Sequence, residues 1–182
     1  MKRCFWVNMD NSLYVDYHDF EWGVPKYDDH ELYELLILEM FQAGLSWETV
    51  LNKRENFRKT FDNFDWNKIV NYDEYKINVL MQDKGIIRNR RKIESTINNT
   101  KVFLGIQKEY GSFANFIWSF TDKKILYLDI SITHNELSDN ISKILKKKGM
   151  KFVGTVIIYS YLQAIGVINS HDNDCFKMEN TL

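Results

Sequence analysis

The chain has one proline, Pro25, and eight glycines in 182 residues. So few backbone breakers disfavour many short strands joined by tight turns and favour long helices. No apolar run reaches the roughly 20 residues needed to span a bilayer; the longest, VIIYSYL at 156–162, falls well short. The opening residues, MKRCFWVNMDNS, lack the apolar core of a secretory signal. These absences lead us to expect a soluble cytoplasmic protein with no membrane partner. Overall basicity is missing too: the formal net charge is −1, so composition alone does not announce a nucleic-acid ligand. Walker, G-x-G-x-x-G, G-x-S-x-G and HExxH patterns are absent, which leaves nucleotide hydrolysis and metalloprotease chemistry unsupported. There are two cysteines, Cys4 and Cys175, near opposite ends. In a reducing compartment a disulfide between them is not expected.

What is present suits one globular domain spanning 1–182. Apolar residues make up 45% of the chain and aromatics 15%, and there are no repeats or linker-like stretches. Asp28 or Asp29 can cap a nearly all-apolar, hence central, helix running to about Ala43. Ser46, Asp65 and Ser138 are further candidate caps, the last for a helix ending near Gly149. Helices are also expected over 74–82, from about Arg88 to Glu109, over 112–120, and through FVGTVIIYSYLQAIG to Gly166. Residues 1–27 and 167–182 read as irregular, and 121–137 as a long loop. No period-2 strand stands out, so the predicted class is all-α.

Four groups of residues could carry chemistry. Glu39 lies on the core stripe of the most apolar helix, with Leu32, Leu35 and Leu36 on its face. A carboxylate there must either pair with a cation or line a cavity. Trp6, Tyr14, Tyr17, Trp22 and Trp47 flank that helix in sequence; they suit core packing or the stacking of a flat, cationic heterocycle. Residues 84–92 carry five Lys or Arg and no acid, as do residues 143–151. Such runs are solvated helix faces or phosphate contacts. In the first run, a short helix, a Gly turn and a basic helix start resemble a helix-hairpin-helix at 80–93. There backbone N–H groups of the turn that includes Gly85 and Ile87 would point at a phosphate, Ile86 and Ile87 would hold the two helices together, and Arg88, Arg90 and Lys92 would lie nearby. Finally, His171 and Cys175 have the spacing of a zinc pair, and Cys4 and His18 could complete a tetrahedral set; the alternative is ordinary packing.

Taken together, these residues resemble the 3-methyladenine DNA glycosylase I (TAG) family over nearly the whole chain. The matching stretches begin with Arg3, Cys4 and Trp6 and with Y-V-D-Y-H-D-F-E-W-G-V-P from Tyr14 to Pro25. They continue through Leu38–Glu39, Q-A-G-L-S-W from Gln42 to Trp47, and T-V-L-N-K-R-E-N-F-R from Thr49 to Arg58. Q-D-K-G-I-I-R-N-R-R-K-I from Gln82 to Ile93 and Trp118–Phe120 follow. The last are K-K-G-M-K-F-V-G-T from Lys147 to Thr155, Y-S-Y-L-Q-A-I-G from Tyr159 to Gly166, and Asn169, His171 and Cys175. Phe5 and Met40–Phe41 depart from the family pattern beside pocket positions, and 121–137 matches poorly.

The resemblance implies an all-α helix-hairpin-helix glycosylase whose ends are joined by one structural zinc on Cys4, His18, His171 and Cys175. It implies a base pocket with Glu39 as its acid and Tyr17 and Trp47, with Trp6, Tyr14 and Trp22, around the base. The expected activity is hydrolytic removal of 3-methyladenine from double-stranded alkylated DNA, by a monomer without lyase activity. No Asp occurs from Lys84 to Thr121, the region where many hairpin glycosylases place a catalytic one; an unstable substrate needs less chemical help. The alternatives are a non-catalytic DNA-binding module and a glycosylase for another alkylated base. Gly44–Leu45 is the candidate wedge for the gap left in the duplex.

Overall fold

The computed structural model describes residues 1–179. Its helices are α1 (Ser12–Phe20), α2 (Asp29–Gln42), α3 (Trp47–Leu51), α4 (Arg54–Thr60), α5 (Trp66–Ile69), α6 (Glu74–Gln82), α7 (Arg90–Tyr110), α8 (Phe113–Ser119), α9 (Glu136–Lys147), α10 (Thr155–Ala164) and α11 (Phe176–Glu179). Among the described residues, no helix is long and apolar enough to cross a membrane.

Helix starts follow local capping chemistry. Asp28 accepts from the N–H groups of His30 and Glu31, Ser46 from Thr49, Asp65 from Asn67, and Asn89 from Lys92. One expected cap moves: Asn135, not Ser138, begins α9. Ser138 instead closes a reciprocal pair, its hydroxyl accepting from the Asn135 N–H while the Asn135 side chain accepts from the Ser138 N–H. That arrangement satisfies two end N–H groups where a Ser138 cap would satisfy one.

α2 is the central element, buried without interruption from Leu32 to Phe41. It packs against α3, α7, α8 and α10, with α9 backing α10. At its start Asp29 serves a second helix, accepting from the Phe113 and Ala114 N–H groups of α8 at 2.8 Å each. α10 ends in a close approach. At Gly166 a side chain would lie 2.4 Å from the backbone of Val24 and Pro25, and φ is +74°, so glycine is required. The Gly23 and Lys26 N–H groups donate to the Gln163 and Ile165 carbonyls there. This ties the segment before α2 to the last long helix.

Two regions differ from the sequence reading. Residues 1–27 contain α1, whose apolar side chains do not share one stripe: Tyr17 and His18 are buried while Leu13 and Phe20 are exposed. Without a clean 3.6-residue pattern the helix is hard to see. The stretch 121–137 and the tail each supply a short strand, β1 (Leu126–Tyr127) and β2 (Ile168–Asn169), paired in parallel. Two-residue strands are too short to show alternation.

Candidate base pocket and metal centre

A cavity of about 270 Å³ opens between α1, α2, α3 and α10. Glu39 stands at its wall together with Trp6, Tyr14, Tyr17, Trp22 and Trp47, so the structure brings all six candidate pocket residues together. The rings form two contacting sets. Trp6 lies 5.2 Å from Tyr14 and 4.9 Å from Trp22, and Tyr17 lies 5.2 Å from Trp47, centroid to centroid. Trp47 lines the cavity, and its Nε1 is buried without a hydrogen-bond partner among the described residues.

Glu39 is 4% exposed, and among the described residues no cation pairs with it. Of the two options open to a carboxylate at this place, it takes the cavity. Burial pushes its carboxyl up to about 8, which favours the protonated form at neutral pH. Burial likewise raises Tyr14, to about 12, and raises Tyr17 well above its usual value, with Glu39 adding to both.

The cavity also has walls that sequence reasoning did not assign. Ile130, Ile132 and Thr133 come from the stretch read as a featureless loop, and Val156, Tyr159, Ser160 and Gln163 from α10. The α10 residues share one face of the helix at i, i+3, i+4 and i+7, a signal masked because apolar side chains occupy its other faces as well. Phe5, the departure beside the pocket, lines the mouth and is 80% exposed.

Cys4, His18, His171 and Cys175 converge at the junction of the two ends. Their ligand atoms all lie within 4.8 Å of one another and every one of the four residues is buried. Cys4 Sγ is 3.4 Å from His171 Nδ1, and Cys175 Sγ is 3.4 Å from His18 Nε2 and 3.7 Å from His171 Nδ1. Tetrahedral bonds of about 2.0–2.3 Å place ligand atoms roughly 3.3–3.8 Å apart, so the set fits a metal ion. The second ring nitrogens are occupied elsewhere: His18 Nδ1 lies 2.8 Å from Asp19 Oδ1 and His171 Nε2 lies 3.3 Å from the Trp22 carbonyl oxygen. Those contacts fix which nitrogen of each ring faces the cluster. Burial also lowers both imidazoles, His171 to about 4, keeping them neutral and able to ligate. The cysteines are free thiols. Trp22 packs on His171 at 4.6 Å and Trp6 on His18 at 5.4 Å, so the cluster buttresses one pocket wall.

The candidate phosphate-binding residues separate. Gly85 and Ile87 sit in the turn between α6 and α7, where the Gly85 N–H donates to Asp83 Oδ1 at 2.7 Å. Arg88 is exposed beside them. Arg90 turns back across α6 to Glu74, at 2.9 Å, and to Asn78. Lys92 is 5% exposed, and its Nζ donates to the carbonyls of Phe41 and Ala43. A buried ammonium bonded to main chain does not suit a phosphate contact. Arg91, which sequence reasoning passed over, is exposed on the first turn of α7.

The molecule is thus a helical protein whose central helix carries an acid to the wall of an aromatic cavity, beside a Cys₂His₂ cluster drawn from segments near both ends of the chain. The profile of the methyladenine glycosylase family matches residues 6–178. The chain therefore belongs to that family. It is 45% identical over 180 residues to DNA-3-methyladenine glycosylase 1 of Escherichia coli (strain K12), covering 96% of each chain. It superposes on a crystal structure of 3-methyladenine DNA glycosylase I (TAG) with a TM-score of 0.92 at 45% identity, covering 96% of this chain and 98% of that one. The Staphylococcus aureus enzyme, in a structure describing its recognition of 3-methyladenine, gives 0.91 at 36% identity over 97% and 96% of the two chains.

Proposed function

We propose that this protein is a monofunctional DNA-3-methyladenine glycosylase of base-excision repair. The observation that carries the reading is Glu39, an unpaired acid buried in an aromatic cavity of about 270 Å³. Methylation at N3 makes the base cationic while it is attached to sugar, and it leaves neutral. Recognition and electrostatics therefore matter more than strong acid–base help.

The damaged nucleotide is extruded from duplex DNA into the cavity, at a cost of a few kcal/mol. Trp47 and neighbouring rings stack on the cation, each contact contributing roughly 0.5–2 kcal/mol. Arrival of the positive charge favours ionised Glu39, reversing the effect of burial. The carboxylate then accepts hydrogen bonds from the adenine edge and stabilises positive charge developing on the sugar. The bond from C1′ to the base nitrogen breaks, water adds at C1′, and 3-methyladenine and an abasic site result.

The turn at 83–89 acts as a helix-hairpin-helix within a single glycosylase domain. The Ile87 N–H, with Arg88 and Arg91, holds a phosphate of double-stranded DNA, while the Gly85 N–H, bonded to Asp83 Oδ1, shapes the turn. Cys4, His18, His171 and Cys175 would hold a zinc ion, which would supply structure by joining the two ends rather than take part in the reaction. The chain works as a monomer in the cytoplasm.

The test is chromatography of bases released from methylated duplex DNA by the purified protein. Release of 3-methyladenine with 7-methylguanine untouched supports the reading; release of nothing by folded, zinc-loaded protein favours a DNA-binding module without catalysis.

A further inference from the structure

α7 buries a polar face. Lys92, Ser95, Thr96, Asn99 and Thr100 are all buried, and the seven-residue spacing sets Lys92 and Asn99 on one side of the helix, two turns apart. Both side chains are spent on main chain outside α7. Lys92 Nζ donates to the Phe41 and Ala43 carbonyls at 2.7 and 2.6 Å, groups that α2 leaves open at its C-terminus. Asn99 donates to the Lys151 carbonyl at 2.9 Å and accepts from the Lys151 N–H at 2.8 Å. Asn98 adds a bond to the Gly149 carbonyl at 2.8 Å. Among the described residues no carboxylate pairs with Lys92, and its ammonium serves the open carbonyls at the end of α2 instead.

The segments held this way run in sequence into residues that line the cavity. Residues 43–46 join Gln42 to Trp47, both on the cavity wall; they include Gly44 at φ +80° and Leu45, which is 40% exposed. Residues 149–154 include Phe152 at φ +54°, a strained conformation for a non-glycine residue. They lead to Val156, which also lines the cavity and is half exposed. α7 itself begins at the 83–89 turn.

We propose that Lys92 and Asn99 are positioning residues. From one rigid helix they fix the two backbone segments that lead into the cavity wall relative to the phosphate-binding turn, so that this surface is shaped for DNA before it arrives. This rests on the glycosylase reading for its substrate. α3 is anchored independently, by Asn8 and Asn11 donating to Glu48 at 2.8 Å each and by the Tyr17–Trp47 contact. Loosening the 43–46 segment therefore leaves the base cavity standing.

The experiment compares full-length, zinc-loaded wild type with Lys92→Met and Asn99→Ala. It measures affinity for free 3-methyladenine, affinity for a duplex bearing an abasic-site analogue, and excision from methylated duplex. Expected are free-base affinity within about two-fold of wild type and duplex affinity and kcat/KM about 10- to 100-fold lower, the scale of small misplacements. In a double-mutant cycle, Leu45→Ala should cost less in the Lys92→Met background than in wild type, because both act through one turn. Unchanged duplex affinity, additive effects, or loss of free-base and duplex binding in parallel would overturn the proposal. If wild type excises nothing yet binds the abasic duplex, the function reading fails while the binding arms still decide the positioning roles.

Discussion

Glu34 and Glu39 are both 4% exposed on α2, five residues apart, and meet opposite surroundings. Glu34 accepts from Arg54 Nε at 2.5 Å and from Arg58 Nη2 at 2.8 Å, and Arg54 reaches on to Glu21 at 2.6 Å. Among the described residues Glu39 has no cation, and it lines the cavity. One helix thus carries an acid held in an ion-pair network and an acid at the cavity wall, separated by the 100° turn per residue that sends them to different faces.

For Glu39 this predicts a trade between stability and function. Its folded carboxyl titrates near 8 and its unfolded one near 4.5. Between those values the folded state holds a proton that the unfolded state has lost. Stability of the free protein should therefore fall as pH rises from about 5 to 8, by up to ~1.4 kcal/mol per pH unit from this group. Denaturant melts across that range should show Glu39→Gln gaining on wild type as pH rises while losing base release by at least about ten-fold. Wild-type excision by both Glu39→Gln and Glu39→Ala would remove Glu39 from the mechanism.

For Glu34 the expectation is the reverse. Burial raises its carboxyl, but Arg58 and Arg54 outweigh burial and hold it below its usual range. Its contribution is present above the unfolded value and lost as pH falls through the folded one. Glu34→Ala removes the buried partner that Arg54 and Arg58 share, leaving them only the more exposed Glu21 and Glu55, and should cost about 2–3 kcal/mol in urea melts. Excision per folded molecule should stay near wild type; a selective loss of kcat would show that the network reaches the chemistry.

Metal analysis should find about one zinc per chain, and Cys175→Ser or a strong chelator should remove it. Because Trp22 and Trp6 lean on His171 and His18, tryptophan emission should change with metal loss, together with a lower melting temperature. Full stability and unchanged emission in metal-free protein would reduce the cluster to packing.

Gly166→Ala should be among the most damaging single-methyl additions in the chain. The new carbon would meet Val24 and Pro25 backbone at 2.4 Å, and φ of +74° strains any side chain. A loss above about 2 kcal/mol in thermal melts is expected, whereas Gly105→Ala, with open space around it, should be neutral or stabilising.

The sequence by itself determined several helix starts and the chemistry available. Asp28, Ser46 and Asp65 cap where their side chains can reach N–H groups two or three residues on, an interaction that needs no tertiary partner. The cysteine and histidine pairs, the acid on the core stripe and the aromatics around it were legible as residue types at their spacings. Only the tertiary structure decided which buried acid is paired, since Arg54 and Arg58 lie 20 and 24 residues from Glu34 in sequence. It also decided that Lys92 turns inward to carbonyls about 50 positions away and that Ile130 and Ile132 wall the cavity. Caps and periodicity act over a few residues and so are written locally. The partner of a buried charge and the wall of a cavity are set by which distant segments the packed core brings together.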